Sequence, residues 1–337
     1  MLDTYLRLDR DIWLAEKVAP APSLGHYLAR LEKLNAEIES LSESHDVQSP
    51  HLSLVPGLPQ TNDKRELESE EAIQRAVVEL QINNNPKNAA EHEEFIANLT
   101  RQALKQWKLR WLTRRKQDTE EEVAKLSAAV QQLQSLYQQL DLLLGEVGGM
   151  ETTHSELELQ LDRARSYRDT LYGGELAWRE AARLAQAAAT LARAGRDSWH
   201  SLDNTTNLVT RFRVATDCRT TVQEAALCIH TAQVSLPAAM FPFCTLREIS
   251  ALLQMVDYIY TDLQIPERYM HALDVYTSFH KRASLLSNWI RQMMEDTIKK
   301  DVQDVDHRIM ELTEKLSNER ANIIRQQVIR TFLISTG

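Results

Sequence analysis

Between Pro86 and Pro237 the chain contains no proline, and inside that stretch apolar residues recur with a fixed alternation of three and four. Val123, Leu126, Val130, Leu133, Tyr137, Leu140, Leu144 and Val147 form the ladder. A 3-4 alternation holds one apolar stripe along a helix, the a/d seam by which helices supercoil against a partner. A proline inside such a helix would remove a backbone hydrogen bond and cost about 3 kcal/mol. Its absence here, and again after Pro266, lets helices run long.

Few residues are available to turn the chain. Nine glycines and nine prolines among 337 residues allow few tight turns, so the elements joined by them are long. Period-2 alternation is nearly absent, which argues against a β fold. Aromatics are only 6%, and leucine and alanine dominate the apolar set, a composition suited to helix–helix seams. The expected fold class is all-α: an elongated bundle of long antiparallel helices with coiled-coil segments.

Charge is unevenly placed. Residues 1–95 hold 9 Lys/Arg against 18 Asp/Glu, and the rest of the chain balances at 30 against 30, so the net −9 arises in the first third. No extended basic field exists to meet a phosphate backbone, and nucleic acid is not an expected partner. Cys218, Cys228 and Cys244 are odd in number and form no C-x-x-C pair, which fits free thiols in a reducing compartment. Asp3, Asp9, Asp11 and Glu16 exclude the apolar core of a signal peptide from the first 20 residues. No apolar run approaches the roughly 20 residues of a membrane span. The Asn98-Leu-Thr100 and Asn204-Thr-Thr206 sequons then carry no glycosylation, and a cytoplasmic protein is expected.

Four regions follow from the punctuation of the chain. Region 1–41 carries an amphipathic helix over 3–18, halted by Pro20 and Pro22, and a second helix capped by Ser23 with a seam at Leu24, Tyr27, Leu31, Leu34, Ile38 and Leu41. Region 42–64, with Pro50, Pro56, Gly57 and Pro59, reads as a flexible linker. Region 65–147 begins with a short acidic helix to Ile82, closed by Asn83–Pro86. Asn88 and Glu91 form a capping pair for a long helix of about 90 Å reaching Val147. Region 150–337 opens with a capping box from Thr153 to Glu156, after the Gly148-Gly149 break. Gly173-Gly174 suggests an interruption or a tight bend, and Gly195 the end of an alanine-faced helix with Ala177, Ala181, Ala185, Ala188 and Ala192. After an apolar loop over 236–244, Thr245 caps a helix to Leu263, and Pro266 begins the last helix. Its seam runs Tyr276, Phe279, Ala283, Leu286, Ile290 and Met293, slips by one residue, and resumes at Ile298, Val302, Val305, Ile309, Leu312 and Leu316. Such a slip alters the supercoil locally without ending the helix. Its expected intramolecular partner is the helix over 88–147.

One segment stands out as a candidate contact site. Arg101, Lys105, Lys108, Arg110, Arg114, Arg115 and Lys116 are interleaved with Trp107 and Trp111, and no acidic residue interrupts them. A basic amphipathic helix of this kind lies on anionic lipid or fills a partner's groove. The competing reading packs Trp107 and Trp111 inward and turns the cations toward acidic residues of helix 65–82. That second reading is favoured, because the acidic first third supplies the counter-surface.

Catalytic and cofactor grammar is missing. No H-E-x-x-H occurs, and His271 and His280, nine residues apart, fall on opposite sides of a helix. No glycine-rich phosphate loop follows a strand, and no Cys-His pair is suggested. No catalytic, metal or cofactor residue is assigned, and the chain is read as non-enzymatic.

Two stretches carry a resemblance. Residues Ala164–Ala187, with Tyr167, Tyr172, the Gly173-Gly174 pair and Trp178, resemble a glycine-interrupted helical segment of an uncharacterised, largely fungal, coiled-coil family. Residues Asp257–Leu263 and the charged helix to Arg325 are similar to its downstream part, so the likeness spans about a third of the chain. It implies an elongated helical fold and no transferable activity. The expected function is a protein–protein interaction scaffold or a subunit of a larger intracellular assembly, with other proteins or a second copy as partners. The alternative is a BAR-like membrane-surface protein using helix 101–116.

Overall fold

A computed structural model of the protein describes residues 2–46, 78–81, 88, 91–147 and 155–335. Every regular element among them is helical, and the all-α expectation holds. In order these are α1 (Leu2–Glu16), α2 (Pro20–Asp46), α3 (Glu93–Val147), α4 (Ser155–Ser201), a 3-10 turn (Leu202–Asn204), α5 (Leu208–Ser235), α6 (Leu246–Val256), α7 (Ile259–Gln264), α8 (Pro266–Met293), a π-helical turn (Met294–Ile298) and α9 (Lys299–Ser335). The 55 residues of α3 span about 80 Å.

Local chemistry explains several boundaries, some of them against expectation. Between α1 and α2 the chain reverses at Ala19, whose φ of 45 is left-handed. Pro20 then opens α2, where its missing N–H costs nothing and its fixed φ suits the first turn. Ser23 is therefore inside the helix rather than its cap, and its hydroxyl donates back to the Ala19 carbonyl at 2.8 Å. Helix α2 continues to Asp46, into the expected linker, and the remainder of 42–64 lies outside the described residues. So do the acidic helix up to Val77, the Asn83–Pro86 stop, the Gly148-Gly149 break and the Thr153 end of the capping box. The Asn88 amide, expected to cap α3, donates to the Leu80 carbonyl at 3.2 Å.

The breaks expected at Gly173-Gly174 and Gly195 do not materialise. Helix α4 runs unbroken through Gly173, Gly174 and Gly195. An interior glycine costs a helix only about 1 kcal/mol, and 47 residues of hydrogen-bonded, partly buried helix outweigh that. Gly195 serves close packing instead: a Cβ there would meet Val222 Cγ2 of α5 at 2.7 Å. By contrast, the seam slip in the last helix is expressed in the backbone. The extra residue is accommodated by the π-helical turn Met294–Ile298, and Met294 takes the buried position instead of Met293. Thr245 caps α6 as expected, and Glu248 returns the bond in a reciprocal capping box. The expected helix to Leu263 is in fact split at Asp257-Tyr258 into α6 and α7.

The chain forms two compact units, each assembled from several segments. The first comprises Met1–Asn35, Arg115–Leu176 and Met293–Gly337. In it Leu140 of α3 packs with Tyr5 and Ile12 of α1 and with Ala321 and Ile324 of α9. A second cluster joins Leu161 of α4 to Ile309, Leu312 and Leu316 of α9. The expected pairing of the long helix with the last one is thus shared with α1.

The second unit comprises Ala36–Arg114 and Ala177–Gln292 and is built around α5. Its seam Phe212, Ala215, Val222, Ala226 and Ile229 meets the alanine face of α4, namely Ala181, Ala185, Ala188 and Ala192. Small residues on both helices let the backbones approach closely, and Gly195 marks the tightest point. Trp199 closes the end of α4 against α8. Its indole donates to the Tyr269 carbonyl at 3.2 Å, and the Tyr269 hydroxyl donates back to the Trp199 carbonyl at 2.9 Å.

Gly195→Ala should destabilise the protein by about 1–3 kcal/mol, since the short, β-branched Val222 side chain has no room to yield. Gly173→Ala and Gly174→Ala, where the added methyl meets nothing within 4 Å, should stabilise it by about 0.5–1 kcal/mol. Urea denaturation of the three variants checks the contrast.

Candidate functional site

Helix α3 distributes the basic segment over more than one face. Leu112 is fully buried and fixes the inward side, and Trp111 packs against the core of the second unit. Trp107 stacks on Trp111 with ring centroids 6.1 Å apart. Two cations flanking the inward side are engaged: Arg101 Nη2 meets Asp257 Oδ2 at 2.6 Å, and Lys108 Nζ meets Glu37 Oε1 at 2.6 Å. These acidic partners belong to α2 and to the α6–α7 junction, not to the expected helix 65–82. Lys116 lies 3.8 Å from Glu120 on its own helix, and Arg115 beside it is half-buried. Lys105, Arg110 and Arg114 are exposed. Lys105 and Arg114 are nine residues apart and project from opposite sides of the helix.

A buried polar junction in the second unit uses residues outside that segment. The break between α6 and α7 creates two helix ends in the protein interior, one with orphan carbonyls and one with orphan amides. Arg219, on α5 and 0% exposed, donates from Nε to the Val256 carbonyl at 3.1 Å and from Nη2 to the Asp257 carbonyl at 2.6 Å. Glu93, the first residue of α3 and 3% exposed, accepts from the Tyr260 amide at 2.8 Å and the Thr261 amide at 3.1 Å. The Thr261 hydroxyl also donates to Glu93. Tyr260 and Thr216 share a hydroxyl hydrogen bond at 2.6 Å, and the Arg219 guanidinium lies 5.4 Å from the Tyr260 ring centre. Burial raises the Glu93 carboxyl above its ordinary value, while its hydrogen bonds and the nearby Arg219 charge pull the other way. Arg219 and Glu93 thus act as C-cap and N-cap supplied by other helices. Their polar atoms hold backbone groups, the arrangement of a brace.

Polar side chains also converge in the first unit, in a cleft of about 280 Å³ among α1, α3, α4 and α9. Glu16 accepts from the Tyr137 hydroxyl and from Arg165 at 2.7 Å. Arg320 donates to Glu158 at 2.6 Å, and Ser317 donates to Asp9 at 2.7 Å. Burial pushes the Tyr137 phenol upward, so it remains a donor to Glu16 at physiological pH. These pairs tie four helices together across an apolar floor that includes Leu140, Leu161 and Leu316.

Sequence reasoning passed over Arg219, Glu93, Glu16 and Arg165, yet Arg219 left a signal. The run Phe212, Ala215, Arg219, Val222, Ala226 and Ile229 has 3-4 spacing, and a charge at a seam position points to a buried partner. Among the described residues no three His, Cys, Asp or Glu side chains gather in a metal-holding arrangement. All three cysteines are buried and free. Burial raises the Cys218 thiol and pushes that of Cys244 up to about 12. The expected family resemblance rests on its two segments alone, for comparison with known protein families, curated proteins and solved structures found no match to this chain.

A carboxyl raised on folding holds its proton more tightly in the folded state. Its contribution to stability is complete below the ordinary value of 4.5 and is lost as pH rises through the raised value. Glu93→Gln keeps an acceptor for the Tyr260 and Thr261 amides and removes that dependence. Its stability should equal or exceed wild type at pH 7, with the gap closing toward pH 4. Glu93→Ala, which leaves those amides unpaired, should cost about 1–3 kcal/mol at any pH. Denaturant titrations across this range distinguish the three proteins. Thiol-reagent kinetics provide the other check: none of the three cysteines should react before the protein unfolds.

Proposed function

We propose that the protein is a non-enzymatic interaction scaffold of a reducing, cytoplasmic compartment, which binds an amphipathic helix of another protein along α3. The observation carrying this reading is the state of the 3-4 ladder. Of its members whose burial is described, Leu140 alone is buried, while Val123, Leu126, Val130, Leu133, Tyr137 and Leu144 are half-buried. Partly exposed a/d positions at regular spacing suit a helix that brings its own apolar stripe. The buried thiols accord with a compartment in which disulfides do not form.

The BAR-like membrane reading draws on the exposed Lys105, Arg110 and Arg114. It is the weaker of the two, because a flat bilayer cannot meet Lys105 and Arg114 together from opposite sides of one helix. Arg101 and Lys108 are in addition held by Asp257 and Glu37.

Affinity capture from native cells with quantitative mass spectrometry tests the first reading. Leu126→Asp with Val130→Asp should lower recovery of the principal partner at least about tenfold, the loss expected for a 1.4 kcal/mol contact. The circular dichroism spectrum should be kept. Equal recovery by the variant removes the ladder as the binding face. Sedimentation with anionic vesicles tests the other reading: wild type should remain in solution, and pelleting that is lost in a Lys105→Glu, Arg110→Glu, Arg114→Glu variant would reinstate the membrane.

A further inference from the structure

Helix α1 carries two stripes and buries one. Tyr5, Leu8 and Ile12 face the interior of the first unit. Beside them Leu6, Asp9 and Trp13 follow one another at 3-4 spacing, a short second stripe with a carboxylate between its two apolar members. Leu6 is 45% exposed and Trp13 41%. Across a groove of about 350 Å³ stands Met310 of α9, 47% exposed, with Arg10 and Glu314 on the groove walls. Scattered exposed leucines are ordinary on a protein surface, but a contiguous leucine, tryptophan and methionine set in a groove with a polar rim marks an interface.

The order of residues along this stripe indicates the occupant. Arg10 is exposed and makes no salt bridge among the described residues, and Asp9 stands next to it in the seam. A two-fold axis passing between Asp9 and Arg10 places Leu6 of one chain against Trp13 of the other. The same axis places Asp9 against Arg10, twice over. The stripe is therefore self-complementary when two identical helices run antiparallel, the property of an isologous interface. A central charged pair flanked by two apolar pairs also fixes the register, since a shift by one turn sets Arg10 against Trp13 and leaves Asp9 unpaired.

We propose that this α1–α9 groove binds a second copy of the chain, α1 against α1 antiparallel about the Asp9–Arg10 centre. It deepens the scaffold reading by naming one partner, and it uses a face other than the α3 ladder. The dimer presents two copies of that ladder, so a partner carrying two helices gains from their linkage.

Sedimentation equilibrium of the full chain should give twice the 38.7 kDa monomer mass. Arg10→Asp sets a carboxylate against Asp9 on both sides of the axis and should weaken the dimer at least about tenfold. The double variant Asp9→Arg, Arg10→Asp restores opposite charges across the axis and should recover it. Because Asp9 also accepts from Ser317, Arg10→Cys supplies an arm that leaves Asp9 intact. Position 10 lies beside the axis, so mild oxidation should yield a covalent dimer. Arg110→Cys, exposed on α3 in the other unit, should not. A monomer at all concentrations overturns the proposal. So does a dimer indifferent to Arg10→Asp, a folded double variant that stays monomeric, or Arg10→Cys that fails to cross-link. A monomer that still captures its partner through the α3 ladder would remove self-association alone; a dimer whose capture ignores the ladder would remove the helix-binding role alone.

Discussion

The second unit depends on a charge that has no access to water. A buried guanidinium is costly unless its donors are matched, and Arg219 matches them with the carbonyls that end α6. Glu93 does the complementary task for the amides that begin α7. One break in the chain is therefore held by two side chains from α5 and α3, and the two charges attract across it. The result is positional: α3 enters the unit at the place where α6 turns into α7. Hydrophobic burial alone would let alanine-faced helices slide past one another, because small residues offer little registry. The Arg219–Glu93 brace supplies the registry that alanines lack.

Close packing follows from the same economy of side-chain size. The core around α5 takes in Ala181, Ala185, Ala188 and Ala192 of α4, and at Gly195 the α4 backbone comes close to Cys218 and Val222 of α5. Where such helices end, aromatic residues fill the wider gaps: Trp199 lies flat on Tyr269 with ring centres 5.1 Å apart, and Phe212 leans on Tyr260 at 5.5 Å. The six tryptophans are few, and each of these contacts sits at a helix end or an inter-helix corner.

Periodicity made the helices legible, and the reason is that each seam reports burial directly. The last helix is the clearest case: a one-residue slip in the apolar pattern marks the π-helical turn at Met294–Ile298, because backbone and side-chain period must stay in step. Glycine misled, since the pattern of Gly173, Gly174 and Gly195 cannot distinguish a helix stop from a close approach or from open space; that difference lies in a neighbour's position. The basic segment was half legible. Its tryptophans and cations were evident, but the acidic partners Glu37 and Asp257 stand far away in sequence. Glu93 was hidden for the same reason, whereas Arg219 could have been found as a charge on a seam.

Seam closure sets how much binding capacity such a chain retains. A helix with one apolar stripe satisfies it inside its own unit and offers nothing further. Helix α9 closes such a stripe with Ile309, Leu312, Leu316, Ala321 and Ile324 all buried, and keeps Met310 exposed beside it. Helix α3 buries Leu140 and leaves Val123, Leu126, Val130, Leu133, Tyr137 and Leu144 only partly buried, and α1 closes one stripe while leaving Leu6 and Trp13 accessible. The incompletely closed stripes of the first unit thus belong to the helices that share its core through Leu140, Tyr5 and Ile12. A partner on either stripe would extend an existing hydrophobic cluster rather than found a new one. Association of that kind adds apolar burial to helices already ordered by folding, so little further conformational entropy opposes it.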